Sequence, residues 1–396
     1  MEEEEEVEEE AWLMESLRLY NDLHLFELPR PTRVIEWTED QCICVAGYGN
    51  KGRNEILQLL LPLRLLAKQN KGLCPERDFK VQRGGMCDRP VYRLKHVPET
   101  SLLVTSGPPD TALQVWCVEP DETDMIKLLS IVSPTKTEEC SWSRIATGCA
   151  TPARVLHGLR MCNLQMTEIE SGQSLFVAAS ASPDEIATLD FLDKATAVVC
   201  SAKGQLFLAD VRQPQGLLRA VEEAQPPWAP GEGMSWCAGV GPGEMPLVAR
   251  LSSGGLVVLT DIRRSSSPLK MARCCVPTPA LSGADFLSIS LAPVLGDCLA
   301  VSGFDGTVQV YDTHGWDSSG QEAKPVFIHK GHTFGTPGKD GGSPVVTTHS
   351  WHPWKPQTLL SAASDGSLHV WDWSDPRASK LSSVTPSVPP PSGSIP

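Results

Sequence analysis

Asp210, Asp261 and Asp312 stand 51 residues apart along the chain. Each closes the second arm of a paired apolar run. The pairs are Ala197–Ser201 with Gln205–Asp210, Leu247–Leu251 with Leu256–Asp261, and Leu299–Ser302 with Thr307–Tyr311. The arms meet at Lys203-Gly204, at Gly254-Gly255 and at Gly303-Phe304-Asp305-Gly306, all tight-turn sequences. A fixed period of this length marks a repeat architecture, in which one small supersecondary unit stacks on copies of itself. A chain of 396 residues can then form one domain without one conventional central core.

The clearest copy lies near the C-terminus. It opens with Gly331-His332 and ends with Trp371-Asp372. Between them come Val345–Trp351, Thr358–Ala363, the turn Ser364-Asp365-Gly366, and Ser367–Trp371. The glycine-rich stretch Thr333–Ser343 reads as a loop. Further units follow towards the N-terminus: Leu102–Thr105 with Ala112–Trp116; Arg144–Ala146, Gly158–Met161 and Leu164–Ile169; and Arg33–Trp37, Cys42–Gly47 and Glu55–Leu61. Outer strands fit at Phe79–Gln82, Ile126–Val132, Leu175–Ala179, Leu217–Val221, Met271–Val276 and Val326–His329. The count is seven units. Six or eight remain open on sequence alone, because the unit at 140–180 is poorly marked.

The Gly-His to Trp-Asp unit resembles a WD repeat, the four-stranded blade of a β-propeller. The resemblance implies an all-β fold, a seven-bladed WD40-type β-propeller with an N-terminal helix. It implies a hydrogen-bonded chain in which Asp365 accepts from His332, and His332 bonds Ser361, which meets the indole of Trp371. A hydrolase reading of Ser, His and Asp lacks the Gly-x-Ser-x-Gly elbow, and the repeat accounts for all three residues.

The last unit has no fourth strand of its own, since residues 377–396 are rich in Ser and Pro. An unpaired edge there would invite aggregation, so the missing strand is expected from His24–Leu28. Before it, Trp12, Leu13, Leu17, Tyr20 and Leu23 recur at helical spacing and predict a helix packed on the propeller. The expected organisation is an acidic disordered tail at 1–11, helix and closing strand at 12–30, propeller at 31–374, and a disordered tail at 375–396.

Charge narrows the function. The formal net charge is −14, and eight glutamates between Glu2 and Glu10 supply more than half of it. A nucleic-acid surface needs a basic stripe, so none is expected. Lys51, Arg53, Lys68, Lys71, Arg77, Lys80 and Arg83 make only a local basic patch. No apolar run is long enough to span a bilayer as a helix. The 13 cysteines are odd in number and scattered, many within apolar strands, which reads as reduced thiol in the cytosol or nucleus. Neither His329-x-x-His332 nor His349-x-x-His352 chelates on a strand, where residues three apart face opposite sides. Gly47–Gly52 lacks the Lys-Ser/Thr of a phosphate loop and reads as a turn. No catalytic residue, metal or cofactor is expected. Two long excursions, Pro62–Gly85 and Thr333–Ser343, carry the candidate partner-binding residues Arg77, Lys80, Phe334 and Lys339.

Several segments are similar to one branch of the WD-repeat family: residues 15–20, Asn54–Leu57, 75–81, Gly303–Asp312 and 368–373. That similarity runs from about residue 12 to 373. It implies a non-catalytic cytoplasmic scaffold, monomeric on its own, associated with assembly of the Integrator complex's RNA endonuclease module. It also implies association with tubulin, the spindle and the cleavage furrow in dividing cells. A propeller enzyme or small-ligand binder is the alternative from another class; it would need convergent acid, base or metal groups on the inner strands.

Overall fold

The computed structural model describes residues 11–12, 14–39, 41–49, 52–62, 78–119, 124–133, 140–221, 234–241, 246–264, 267–277, 285–334 and 342–374. Seven sheets, each built on four antiparallel strands, follow one another around a ring. The sequence places apolar residues on both faces of the middle strands. Leu299–Val301 and Leu359–Leu360 are almost wholly buried. A strand apolar on both faces must be covered on both, and in a ring each blade is covered by its two neighbours. The core is therefore divided into layers between successive blades. Leu103 and Trp116 meet Cys44 and Ile56 between blades 1 and 2. Leu156 and Phe176 meet Val199 and Ala209 between blades 3 and 4.

Each blade runs from an innermost strand at the channel to an outer strand at the rim. Blade 1 is Thr32–Glu39, Cys42–Gly47, Asn54–Leu60 and Lys80–Cys87. Blade 6 is Ser288–Leu291, Cys298–Ser302, Val308–Asp312 and Phe327–His329. Three innermost strands were not foreseen: Arg93–His96, Ile186–Phe191 and Trp236–Val240. In blade 3 the second strand is Arg154–Gly158, not Gly158–Met161; Met161–Asn163 is a single 3-10 turn. The excursion after Pro62 ends sooner than expected, because Lys80–Cys87 is a continuous strand.

The 51-residue period has a local cause. Asp210, Asp261 and Asp312 each end the third strand of a blade. Each carboxylate accepts from the backbone N–H two residues on: Arg212 at 3.1 Å, Arg263 at 2.9 Å and His314 at 2.9 Å. An Asx turn of this kind starts the bend from a third strand towards the rim.

Residues Tyr20–Glu27 supply the fourth strand of blade 7, antiparallel to Ser367–Trp373, with Leu23 opposite Trp371 and Leu25 opposite His369. The closing strand starts earlier than His24, and the helix stops at residue 19, so Tyr20 and Leu23 belong to the strand. Leu17 is 77% exposed and does not pack on the ring, whereas Trp12 is half-buried against Tyr20. The seam is further held by Asn21 Nδ2 on Asp372 Oδ1 at 2.9 Å and Ser374 N on Leu19 O at 2.8 Å.

Side chains on the inner strands also link neighbouring blades. Lys95 pairs with Glu36 at 3.1 Å, Thr147 donates to His96 O at 2.7 Å, and Trp37 Nε1 donates to Ser350 Oγ at 3.1 Å. Blades 5 and 6 approach so closely that a Cβ at Gly239 would lie 2.4 Å from Ile289 O, which requires glycine there.

Removal of residues 1–30 is expected to abolish cooperative melting, while removal of 1–10 leaves the melting temperature unchanged. Differential scanning calorimetry of the two truncations checks this; a cooperative, full-temperature transition in the 31–396 chain would show that the ring closes without the N-terminal strand.

Candidate functional site

The sealing blade carries the polar network. Trp371 Nε1 donates to Ser361 Oγ at 3.1 Å, and Ser361 Oγ lies 2.8 Å from His332 Nε2. Asp365 does not reach His332. Ser367 stands between them, 2.7 Å from His332 Nδ1 and 2.7 Å from Asp365 Oδ1. The chain is one member longer than the resemblance implied. An indole only donates and a carboxylate only accepts, so every proton in the chain is directed from Trp371 towards Asp365. This requires a neutral His332 with its proton on Nδ1.

Two further histidines and the closing strand join the network. His332 and His369 stack face to face, with centroids 3.8 Å apart and planes 4° apart. His369 Nδ1 meets His329 Nε2 at 3.0 Å, and His329 Nδ1 meets the Tyr20 hydroxyl at 2.8 Å. Tyr20 thereby couples ring closure to the satisfaction of buried polar groups. The nitrogens of His329, His332 and His369 lie within 4.8 Å of one another, close enough on distance alone to hold a metal. Their orientation serves the hydrogen bonds instead. Two parallel rings cannot aim in-plane lone pairs at one ion, and the nitrogens nearest one another are already bonded.

Copies of this arrangement elsewhere are partial. Trp116 Nε1 donates to Thr105 Oγ1 at 2.9 Å in blade 2. In blade 3, His157 meets Thr167 Oγ1 at 2.9 Å. His349 bridges blades 6 and 7, with Ser302 Oγ at 2.7 Å and Ser290 Oγ at 2.6 Å. His352 Nδ1 instead accepts from the backbone N–H of Trp354 and Lys355, both at 3.2 Å.

Burial keeps five of these imidazoles neutral: His157, His329, His332, His349 and His369. It pushes His157 and His349 down to about 4 and His369 down to about 3. His329 and His332 are lowered too, by burial first and then by neighbouring histidines.

Of the four candidate partner-binding residues, two are described. Arg77 and Lys339 lie outside the described residues. Lys80 is exposed at the start of the outer strand of blade 1. Phe334 is half-buried and packs on Trp12 with centroids 5.2 Å apart, so it fills the joint between helix and blade 7 rather than standing free.

A surface that the sequence reading missed lies on the rim of blades 1 and 2. Leu128, Leu129 and Ile131 are exposed on the outer strand of blade 2, and Val81 and Met86 on that of blade 1. Ile126 N bonds Gly84 O at 3.0 Å, which joins the two rims and sets exposed Met125 beside them. The outer strands of blades 3 and 5 are each covered by a fifth, parallel strand, Gln215–Gly216 and Glu322–Ala323. Among the described residues no such strand covers Lys127–Val132. An uncovered apolar edge is a template for protein association.

A sealed ring of seven four-stranded blades, with the Trp–Ser–His network in the sealing blade, defines a WD-repeat β-propeller, a scaffold class. No family model matches the chain. It is 49% identical to the Integrator complex assembly factor WDR73 of Xenopus laevis over 369 residues, covering 92% of this chain and 98% of that protein. It is 46% identical to the mouse (Mus musculus) protein of that name, covering 93% and 99%, and 45% identical to the human (Homo sapiens) one, covering 92% and 97%. The chain belongs to the WDR73 family.

Trp371→Ala should cost about 3–5 kcal/mol, because it opens a cavity and leaves Ser361 without its donor. Urea unfolding measures it; a cost below about 1 kcal/mol would remove the network from any role in stability.

The histidines add a pH signature. Unfolded, each titrates near 6.5; folded, they stay neutral to about 4 or below. The unfolded chain therefore binds more protons below about 6.5. Stability from these groups is whole above that value and is lost as pH falls through the folded values. The loss is about 1.4 kcal/mol per pH unit for each histidine. Melting temperature is expected to be level from pH 8 to 7 and to fall steeply from 6.5 to 4.5; a flat profile across that window would contradict the assignment.

Proposed function

We propose that this protein is a non-enzymatic assembly factor for the Integrator complex, acting on its RNA endonuclease module. The observation that carries the reading is near-full-length identity of 45–49% to proteins named for that role. The absence of catalysis is supported by the burial of the Ser–His–Asp set. His332 and Ser361 are 0% exposed and fully engaged with one another, so no substrate can reach them. Where the innermost strands end, a recess of about 390 Å³ includes His349, whose nitrogens are both held by serines. The uncovered strand Lys127–Val132, with Leu128, Leu129 and Ile131, is the docking surface in this proposal. A cytoplasmic place of work is supported by twelve described cysteines that are all free, as expected in a reducing compartment. Tubulin fits less well: its surface is acidic, and so is this chain at −14.

Affinity purification from cytosol with quantitative mass spectrometry tests the reading. The full chain is expected to recover Integrator endonuclease subunits. A Leu129→Asp, Ile131→Asp variant with unchanged melting is expected to lose at least ten-fold of that recovery. Recovery of tubulin without Integrator subunits would overturn the function, and equal recovery by the variant would move the docking surface elsewhere.

A further inference from the structure

Three arginines begin the innermost strands of consecutive blades: Arg33 in blade 1, Arg93 in blade 2 and Arg144 in blade 3. The starts of these strands lie at one mouth of the channel. Arg33 crosses that mouth to blade 6, where its Nη2 donates to Asp285 O at 2.8 Å. Its guanidinium lies 4.1 Å from the Tyr92 ring centroid and 4.7 Å from that of Phe286, with Tyr48 and Trp142 also in contact range. Arg33 is only 8% exposed, so it and the aromatic rings form a lid over the channel.

Beneath the lid the guanidiniums are under-partnered. Arg144 Nε donates to Ala187 O at 3.0 Å, but its Nη1 is buried with no acceptor among the described residues. Arg93 has no hydrogen bond or ion pair to any described side chain, and its charge acts on Cys237 in blade 5, across the channel. No ion pair among the described residues joins any of the three to a carboxylate. The carboxylates that act on them are peripheral. Asp285 is exposed, and Glu185 is exposed and turned to Arg160 at 3.7 Å. Deeper in the channel Lys95 is already answered by Glu36 at 3.1 Å, with Asp190 near.

An arginine cannot relieve burial by losing its proton at any pH the fold survives. Burial and mutual repulsion hold Arg93 well below the usual arginine range and push Arg144 down to about 10, while burial lowers Arg33. Half-buried like charges that repel one another need a counter-charge, and the described residues supply no carboxylate in direct contact.

We propose that the channel beneath Arg33 binds a small oxyanion of the phosphate class, held by the guanidiniums of Arg93 and Arg144. The guanidinium fork matches a tetrahedral oxyanion: each arginine donates two parallel N–H bonds, and the oxyanion accepts them. The aromatic lid sets the size. A free anion passes into the channel, whereas a phosphoryl group on a larger molecule must displace Arg33.

The test is titration of the full chain with inorganic phosphate at constant ionic strength set by chloride, followed by calorimetry and by melting temperature. Saturable binding that raises the melting temperature is expected, weakened at least ten-fold in Arg93→Met. Should that variant fail to fold, Arg93→Lys keeps the charge but loses the fork, and is expected to weaken phosphate by a similar factor. A parallel titration with adenosine triphosphate separates the sources. Weaker binding of the nucleotide supports the free anion, and tighter nucleotide binding with the same dependence on Arg93 would overturn it. No phosphate effect beyond chloride, or an effect untouched by either Arg93 variant, would also overturn the proposal.

Discussion

The structure depends on one strand pairing across almost the full length of the chain: Tyr20–Glu27 against Ser367–Trp373. A propeller has no single core. Its apolar surface lies in layers between blades, and each layer needs both neighbours in place. Blade 7 shares one layer with blade 6, through Leu359, Trp371 and Val310, and one with blade 1, through Leu360, Val370 and Ile43. Opening the seam would bare the backbone edge of blade 7 and loosen the blade that completes both layers. The seam is also where polar groups are settled, since the Tyr20 hydroxyl meets His329 at the end of the histidine chain.

Closure explains the division of labour around the ring. The inner strands of neighbouring blades are tied by side-chain hydrogen bonds and an ion pair around the channel. Protein-sized partners are left with the faces and the rim. The rim is not uniform: the edges of blades 3 and 5 are covered by short parallel strands from the connections of blades 4 and 6, while blade 2 leaves leucines and isoleucine exposed on its edge. The channel is suited to something smaller, because its mouth is filled by Arg33 and its aromatic neighbours.

The legible parts of the fold were those with strong local rules. Hairpins around Lys203-Gly204, Gly254-Gly255 and Asp365-Gly366 announce themselves by turn chemistry and by the flanking apolar arms; Gly366 has φ +99°, which favours glycine. The closing strand was legible because blade 7 lacks a strand that no other segment can supply. The innermost strands of blades 2, 4 and 5 were not. They line a channel, so Arg93–His96 and Ile186–Phe191 mix charged and apolar residues without clean alternation. Missing Arg93–His96 left Arg93 out of line with Arg33 and Arg144, which hid the arginine cluster. Tyr20 and Leu23 fall at helical spacing from Trp12, yet the pull of the open edge at Ser367–Trp373 draws them into a strand. Ser367 escaped notice because it bridges two residues already paired in the expected network. The exposed rim was missed because Lys127–Val132 has the composition of a buried strand, and only its place at an uncovered edge shows otherwise.

Native-state hydrogen exchange on the full chain tests the central claim most directly. If the N-terminal strand seals the ring, the paired amides of Tyr20–Glu27 exchange only with global unfolding, at the same free energy as those of Thr358–Ala363, and their exchange follows denaturant with the global slope. Exchange of Tyr20–Glu27 through a local opening several kcal/mol below the global value, with Thr358–Ala363 still protected, would contradict the account: the ring would then hold without its closing strand.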